Sequence, residues 1–163
     1  MAEYRQLVSD IRTAMPGIAL STDMIVGFPG ETEEDYKMSL ALLEEMRYDF
    51  AYLYKYSERS GTFAHKRLPD DVSELDKGKR LSEVIALQES ICLEKTQPYV
   101  GRVVEVMIAG ESRKSEHDWL GRTDTFKTTI FPKVEGTAPG QIVKVRVTRA
   151  TSHTLLGVME PNV

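Results

Sequence analysis

Hydrophobic residues in the first hundred positions recur with a helical period in three segments and as short apolar runs in two others. The helical segments place apolar residues three or four positions apart, as an amphipathic helix requires. The short runs are bounded by glycine, proline or polar residues, as strands usually are. The pattern predicts helices over 3–14, 32–47 and about 71–97, strands over 18–26 and 50–56, and a loop over 57–69.

Beyond Pro98 the hydrophobic period changes to two, which is the period of a half-buried strand. Glycine, proline and polar turns separate the short alternating segments. Such a pattern is typical of a small antiparallel barrel, in which closure leaves no free sheet edge. The predicted strands cover 103–108, 128–131, 142–147 and 155–159.

The change of period divides the chain into two predicted domains. Because proline ends an α-helix, we place the boundary at Pro98, between residues 1–97 and 98–163. The first part has an α/β pattern of parallel strands with helices, and the second is all-β. Two parallel strands cannot close a barrel, so their edges and apolar faces are expected to lack partners. We therefore expect the chain to associate with itself through residues 1–56, unless its helices close over the sheet.

One strand-to-helix junction has the composition of a ligand site. The apolar run that ends at Val26 is followed by Gly-Phe-Pro-Gly over 27–30, and Thr32 and Asp35 then form a capping-box pattern. Glycines and a proline specify a tight turn that approaches a neighbour closely. The carboxyl ends of parallel strands are where α/β folds bind ligands. The alternative is an ordinary strand-to-helix turn.

Charge is distributed unevenly along the 163 residues, whose net charge is −4. Residues 1–99 carry 12 Lys and Arg against 18 Asp and Glu, a balance of −6, and residues 100–163 carry 9 against 7, a balance of +2. A mildly basic C-terminal part suits a nucleic-acid partner, although a solvated surface of mixed sign explains it equally well. No apolar run approaches the length of a membrane span, so no membrane partner is expected.

Cysteine usage limits the chemistry of the chain. Cys92 is the single cysteine, which excludes an internal disulfide and fits a reducing compartment such as the cytoplasm. It falls on the apolar side of the predicted long helix. A buried, inert thiol is therefore the expected role.

Four motifs in a fixed order resemble the radical S-adenosylmethionine tRNA methylthiotransferases, and together they span most of residues 20–131. The first is the junction motif Thr-Asp-Met-Ile-Val-Gly-Phe-Pro-Gly-Glu-Thr, and the second contains Ser-Glu-Arg-Ser-Gly-Thr. The third is Leu-Pro-Asp-Asp-Val. The fourth, Gly-Glu-Ser-Arg-Lys-Ser followed by Leu-Gly-Arg-Thr, resembles the RNA-binding TRAM barrel. The motifs occupy 22–32, 54–62, 68–72, and 110–115 with 120–123.

The resemblance implies a radical enzyme that adds a methylthio group to C2 of N6-isopentenyladenosine next to the anticodon of tRNA, at position 37. Such enzymes use S-adenosylmethionine and two 4Fe–4S clusters. A four-iron cluster of this kind needs three cysteinates close in sequence, which Cys92 alone cannot supply. The chain therefore looks like the C-terminal portion of such an enzyme, without catalytic or metal-binding residues and inactive alone.

The resemblance also implies which residues bind the cofactor and the RNA. The adenine-contact pattern of the superfamily, Gly-x-Ile-x-Gly-x-x-Glu, is matched imperfectly, because an aspartate replaces the first glycine and Glu31 falls one place late. We interpret Glu31 as a turn-stabilising carboxylate. The predicted cofactor-binding residues are Asp23, Ile25, Gly27, Tyr54 and Tyr56, and the predicted RNA-binding residues are Arg113, Lys114, Arg122 and Lys127.

Two aromatic residues accompany the predicted RNA-binding cations, which we expect to cluster around two turns of the barrel. Trp119 lies between them and is assigned either to stacking on a base or, slightly preferred, to the core. The family often has asparagine where Phe126 stands, so one RNA contact of the family is expected to be absent.

Two alternatives to the tRNA methylthiotransferase interpretation stay open. The first is an RNA-binding barrel that carries a helical appendage and has no catalytic role. The chain also resembles the sister enzymes that act on threonylcarbamoyl-adenosine in tRNA or on an aspartate of a ribosomal protein. The Ser-Arg-Lys-Ser and Gly-Arg-Thr motifs, at 112–115 and 121–123, favour the tRNA enzymes over the ribosomal ones.

Overall fold

The computed structural model describes residues 2–161, and these residues form two compact units. One unit comprises the chain up to Ala14 together with Leu20–Ile91, and the other comprises Met15–Ala19 together with the chain from Cys92 onward. The elements are α1 (Ala2–Ala14), β1 (Ser21–Val26), α2 (Glu33–Met46), β2 (Phe50–Lys55), α3 (Phe63–Arg67), α4 (Glu74–Thr96), a 3₁₀ turn (Gln97–Tyr99), β3 (Val103–Ser112), β4 (Ser115–Arg122), β5 (Thr128–Pro132), β6 (Ile142–Ala150) and β7 (Thr154–Met159).

The first unit is built on the two parallel strands β1 and β2, which pair in register from Ser21 with Phe50 to Val26 with Lys55. Side chains alternate along β1, so one face of the sheet packs into a helix-covered core and the other is exposed. The buried residues of this core are Val8, Val26, Tyr36, Leu43, Met46, Tyr48 and Val84. The predicted α/β pattern is confirmed, and so is the exposed apolar sheet face.

The start of α2 follows the capping-box prediction. The Thr32 side chain accepts a hydrogen bond from the Asp35 amide at 3.1 Å, and the Asp35 carboxylate accepts from the Thr32 amide at 3.0 Å. The two residues thereby satisfy backbone N–H groups that have no partner inside the helix. The Thr32 hydroxyl also donates to the Asp35 carboxylate at 2.6 Å, and this bond, together with the one from the Thr32 amide, lowers the pKa of the Asp35 carboxyl below its ordinary value.

One local prediction for the first unit needs correction. The segment 57–69 is not entirely loop, because Thr62 caps the short helix α3. Five residues are too few for a hydrophobic period to be visible. The helix α4 runs without a break through Gly78 up to Thr96, and Pro98 lies in the 3₁₀ turn that follows.

The second unit contains a closed barrel with the strand order β3-β4-β5-β7-β6. The predicted small barrel is confirmed, but it is not entirely antiparallel, because β5 and β7 pair in parallel. The sequence pattern also missed β4, whose first half is polar and exposed. Gly121 on β4 permits a close strand approach, since a Cβ there would lie 2.6 Å from the Met107 carbonyl oxygen.

The barrel core includes the single tryptophan. Trp119 is buried with Val106, Ile108, Phe131 and Val145, and its Nε1–H donates a hydrogen bond to Thr137 Oγ1 at 2.8 Å. The preferred core assignment of Trp119 is thus confirmed. A second apolar cluster in this unit contains Val147, Ala150 and Leu155.

Two further features concern Cys92 and the helices. Cys92 is buried, as its position on the apolar side of α4 predicted. Across residues 2–161 there is no helix with the length and hydropathy needed to cross a membrane.

Candidate functional site

A cavity of about 590 Å³ lies at the carboxyl ends of β1 and β2. Ile25, Tyr54 and Tyr56 line it, so three of the five predicted cofactor residues meet there. Both Ile25 and Tyr54 are 54% exposed. The remaining lining residues come mainly from the turn after β1 and from the segment after β2: Phe28, Lys55, Ser57, Arg59, Thr62 and Ala64.

The other two predicted cofactor residues do not line this cavity. Asp23 is exposed earlier on β1, where it pairs with Tyr52 in the sheet register. Gly27 is buried behind the cavity in the left-handed region, at φ 70°. Gly27 therefore shapes the turn, because a residue without Cβ adopts this backbone conformation at little cost.

The Gly27 turn is closed by the Glu31 side chain. Glu31 Oε2 accepts a hydrogen bond of 2.6 Å from the Gly27 amide and another of 2.6 Å from Arg80 Nη1. Arg80 Nη1 also donates to the Glu31 carbonyl oxygen at 3.1 Å. Because Arg80 lies on α4, these bonds attach the turn to that helix. The contacts of Glu31 are those of a turn-stabilising carboxylate.

A buried lysine packs against the same turn. Lys77 is 1% exposed, and a methyl group on Gly27 would overlap its Cγ and lie 3.3 Å from its Cβ and Cδ. Its ammonium group donates to Asp70 at 2.5 Å and to Glu74 at 3.2 Å. Burial disfavours the charged form, but these bonds to two carboxylates outweigh it and raise the pKa of Lys77 above its ordinary value.

Tyr56 supplies the buried polar atom of the cavity. The residue is 8% exposed, and its hydroxyl has no hydrogen-bond partner within the described part of the chain. Its ring packs edge-to-face on Phe28 with 5.1 Å between the centroids, and the Lys77 ammonium lies 5.3 Å from its centre. A buried hydroxyl without a partner costs about 1–3 kcal/mol, which a ligand atom that bonds to it would recover.

The cavity wall is mainly apolar and aromatic, with polar groups from Lys55, Ser57, Arg59 and Thr62. Ile25, Phe28 and Tyr54 provide flat or apolar surface, while Tyr56 provides a hydroxyl. Small-molecule sites have this composition, in which apolar surface gives affinity and a few polar groups fix orientation. The arrangement suits a planar heteroaromatic ring whose edge carries hydrogen-bonding atoms.

The predicted RNA-binding cations lie at two turns of the barrel, one at each end of β4. Arg113 and Lys114 are exposed in the turn before β4, whereas Arg122 ends that strand and Lys127 lies in the loop after it. A strand of eight residues is about 25 Å long at 3.2–3.4 Å per residue, so two separate patches result. The cations thus lie at two turns of the barrel, as expected, and their role in RNA binding stays a prediction.

The loop after β4 brings aromatic and cationic side chains together. The Arg122 guanidinium carbon lies 4.3 Å from the centre of the Phe126 ring, and Lys127 Nζ lies 5.5 Å from that of Tyr99. Arg122 Nη1 also donates to the Phe126 carbonyl oxygen at 3.2 Å and to Thr128 Oγ1 at 3.3 Å. Arg122 therefore has a structural role in this loop as well as a charge to offer a phosphate.

Sequence reasoning missed three residues that shape these sites. Phe28 lines the cavity although it was treated only as part of a turn. Lys77 lies four residues before Leu81 and therefore on the apolar stripe of α4. A lysine on such a stripe is a signal of a buried charge that is paired. Phe126 was expected only to lack an RNA contact of the family, whereas the structure shows that its ring is exposed.

Comparison with known proteins gives one domain match and several relatives that are longer than this chain. Residues 97–159 match the family model of the TRAM domain. The chain is 48% identical over 155 residues to the tRNA-2-methylthio-N(6)-dimethylallyladenosine synthase of Chlorobium phaeobacteroides, which covers 95% of this chain and 34% of that protein. The protein of the same name from Chlorobium luteolum is 47% identical over 160 residues, covering 98% and 36%.

A more distant relative gives the same match. The protein of that name from Flavobacterium johnsoniae is 41% identical over 155 residues, which cover 95% of this chain and 32% of the relative. The chain thus spans about a third of the length of the curated relatives that it matches. The matched region is their C-terminal part.

Proposed function

Because the chain belongs to the TRAM-domain tRNA methylthiotransferases and matches their C-terminal part, we propose that it is the C-terminal part of a tRNA-2-methylthio-N(6)-dimethylallyladenosine synthase. In this function the parent enzyme adds a methylthio group to C2 of N6-isopentenyladenosine next to the anticodon. The observation that carries the proposal is the 48% identity over 95% of the chain.

The cavity of the first unit supports a role in holding S-adenosylmethionine, whose adenine is a planar heteroaromatic ring. Ile25 and Tyr54 would contact the adenine faces, and the Tyr56 hydroxyl would bond to a polar atom of the nucleoside. Gly27 would keep the turn beside the site in its tight conformation. Asp23 would bind the cofactor from a position earlier on β1. When bound, S-adenosylmethionine supplies the one-electron chemistry and the methyl group.

The iron–sulfur clusters of the reaction have no fitting ligands in this chain. Its single cysteine is buried on α4, and residues 2–161 contain no group of three His, Cys, Asp or Glu side chains placed to hold a metal ion. A four-iron cluster requires several cysteinates. The proposal therefore places both 4Fe–4S clusters on other parts of the synthase, and no step of the chemistry is assigned to Cys92.

The barrel supports a role in binding tRNA. The two cationic patches, formed by Arg113 with Lys114 and by Arg122 with Lys127, are spaced along β4 as contacts to separate phosphates of a folded RNA would be. Phosphate contacts fix the position of the RNA and carry no sequence information. The barrel would thus hold the tRNA while the rest of the synthase acts on the modified adenosine. The synthase and its tRNA substrate would meet in the cytoplasm.

The exposed sheet face supports a further proposal about the isolated chain. Ile25, Tyr52 and Tyr54 are each 54% exposed on β1 and β2. Apolar surface of this kind next to open strand edges favours pairing with another copy. We therefore propose that the chain alone associates with itself through residues 1–56.

A chimaeric enzyme tests the proposed function. The matched segment of the Chlorobium phaeobacteroides synthase is replaced by this chain, and the chimaera is expressed in cells that lack their own synthase. Mass spectrometry of the tRNA nucleosides is expected to show 2-methylthio-N6-isopentenyladenosine. A soluble chimaera that leaves the isopentenylated nucleoside unmodified contradicts the proposal. Methylthiolation of threonylcarbamoyl-adenosine instead would assign the chain to the sister enzymes.

A further inference from the structure

Phe126 occupies an unusual position for a large apolar residue. The residue is 57% exposed and belongs to neither apolar cluster of the barrel unit. Its backbone lies in the left-handed region at φ 63°, which is a conformational outlier for a bulky side chain. An exposed ring in a strained conformation contributes little to stability, so its presence calls for a function.

The loop that carries Phe126 is fixed by its own hydrogen bonds. The Phe126 amide donates to the Thr123 carbonyl oxygen at 3.0 Å, and the Thr123 amide donates to the Lys127 carbonyl oxygen at 3.1 Å. The Lys127 amide donates to Thr123 Oγ1 at 3.1 Å. Thr123 is itself buried, so the loop is anchored in the barrel. The ring is therefore presented on a rigid support rather than on a flexible tip.

Arg122 supports the ring directly. Its guanidinium packs 4.3 Å from the ring centre while Nη1 bonds to the Phe126 carbonyl oxygen. These two contacts hold the guanidinium and the ring together as one unit. More than half of the surface of Phe126 stays accessible beside a fixed positive charge.

Charge around the loop favours a polyanion. Arg122 lies four residues before Phe126 and Lys127 directly follows it, so cations flank Phe126 on both sides in the sequence. The Asp124 carboxylate accepts a hydrogen bond of 2.7 Å from the Thr125 amide, which engages it within the loop. An aromatic ring with cations on both sides matches an RNA strand, where a base stacks and the neighbouring phosphates are neutralised.

We propose that Phe126 is a stacking platform for an unpaired base of the bound RNA, a contact that rests on the proposed function of the barrel. The ring stacks on one base, and Arg122 and Lys127 contact the phosphates on either side of it. Single-stranded loops expose bases for such stacking, whereas bases inside a duplex are covered by their neighbours. The contact is tolerant of base identity, because every base has a π-face.

The experiment uses the full chain and a series of synthetic anticodon stem-loop RNAs, each with 2-aminopurine at one unpaired position. Stacking on Phe126 is expected to change the fluorescence at one of these positions. The Phe126→Gly variant is the main test, because glycine adopts the left-handed backbone readily, should preserve the loop and offers no side chain to the RNA. We expect it to lose the fluorescence change and to weaken RNA binding by about 5-fold to 150-fold, the range of one stacked base.

Two controls separate stacking from charge and from folding. Phe126→Tyr and Phe126→Trp retain an aromatic ring and are expected to keep both the affinity and the fluorescence change. The salt dependence of binding should be the same in Phe126→Gly and the wild type, since the ring carries no charge, whereas Arg122→Ala should reduce it.

The outcomes distinguish this proposal from the proposed function. If the wild type binds RNA and Phe126→Gly binds equally well with the same fluorescence change, the stacking role is overturned while tRNA binding stands. If Phe126→Gly lowers the salt dependence, the loop has been disturbed as a cationic site and stacking is again overturned. If the wild type does not bind any of the RNAs, both proposals fail.

Discussion

The side chain of Lys77 lies where a side chain at Gly27 would have to be. Its Cβ and Cδ lie 3.3 Å from the position of a Cβ at Gly27, and its Cγ overlaps that position. The turn after β1 and the helix α4 are therefore complementary at this point, and the Glu31–Arg80 pair, at 2.6 Å, joins the same two elements. The packing of the turn on α4 therefore depends on a glycine in the turn and a lysine in the helix.

The first prediction is that Gly27→Ala destabilises the protein by about 2–4 kcal/mol, through left-handed strain together with overlap with Lys77. Gly30→Ala is the matched control, because Gly30 also has a positive φ of 83° but open space around it. Its cost is expected to be the strain alone, about 1–2 kcal/mol. Urea unfolding measures both.

A double-mutant cycle isolates the contact. Combining Gly27→Ala with Lys77→Ala should recover about 1 kcal/mol or more relative to the sum of the single effects, because the overlapping chain is gone. Combining it with Lys77→Met should recover little, since methionine keeps a methylene group at the same point. Strict additivity with Lys77→Ala would mean that the two residues do not interact.

The second prediction concerns the acid side of the pH range. The Thr32 hydrogen bonds lower the pKa of Asp35, so the ionised Asp35 carboxylate stabilises the folded state. This stabilisation is fully present above the ordinary carboxyl pKa and is lost as the pH falls through the lowered pKa. The Thr32 amide resonance is expected to titrate with a midpoint below the ordinary aspartate pKa. Asp35→Asn should abolish this titration. A midpoint at or above the ordinary value would argue against the capping box.

The capping box was predictable from the sequence because its two members are three residues apart. The contact of Lys77 with Gly27 was not, since it joins residues fifty positions apart and depends on how α4 packs. The strand β4, between Arg113 and Arg122, was missed for another reason. The strand between them begins with the polar run Ser-Glu-His-Asp at 115–118, so alternation was too weak to reveal β4.

The third prediction is that Phe126→Asn raises the stability of the protein by up to about 1 kcal/mol, because asparagine tolerates φ 63° better than phenylalanine. Phe126→Tyr keeps the strained backbone and serves as the control. Thermal unfolding of the two variants decides the matter. If Phe126→Asn is no more stable than Phe126→Tyr, the left-handed conformation is not a cost of this position.

The fourth prediction is that the isolated chain forms dimers or larger species at low micromolar concentration through its exposed sheet face. Replacing Tyr52 and Tyr54 by lysine adds charge to that face and should shift the chain toward monomer. Sedimentation equilibrium measures the mass. Lysine substitutions at Val103 and Met107, which are exposed on β3 in the barrel, provide the control. A folded wild-type monomer would show that the sheet face needs no partner.

The final prediction concerns the two cationic patches that flank β4. Each phosphate contact contributes roughly −0.7 to −0.9 to the slope of log affinity against log salt. The double variants Arg113→Ala with Lys114→Ala, and Arg122→Ala with Lys127→Ala, should each flatten that slope by between about one and two units if both residues touch phosphate. The double variant of Arg5 and Lys37, which form ion pairs on α1 and α2, removes the same charge from the first unit and should leave the slope unchanged.

The central claim, that this chain binds tRNA through its barrel, is tested most directly by one salt titration. Fluorescence anisotropy follows binding of the full chain to a labelled tRNA that carries isopentenyladenosine next to the anticodon, from low to physiological salt. The account predicts measurable affinity that falls with salt and a flatter slope in both barrel variants but not in the control. Absent binding, or a slope that the barrel variants leave unchanged, would contradict it.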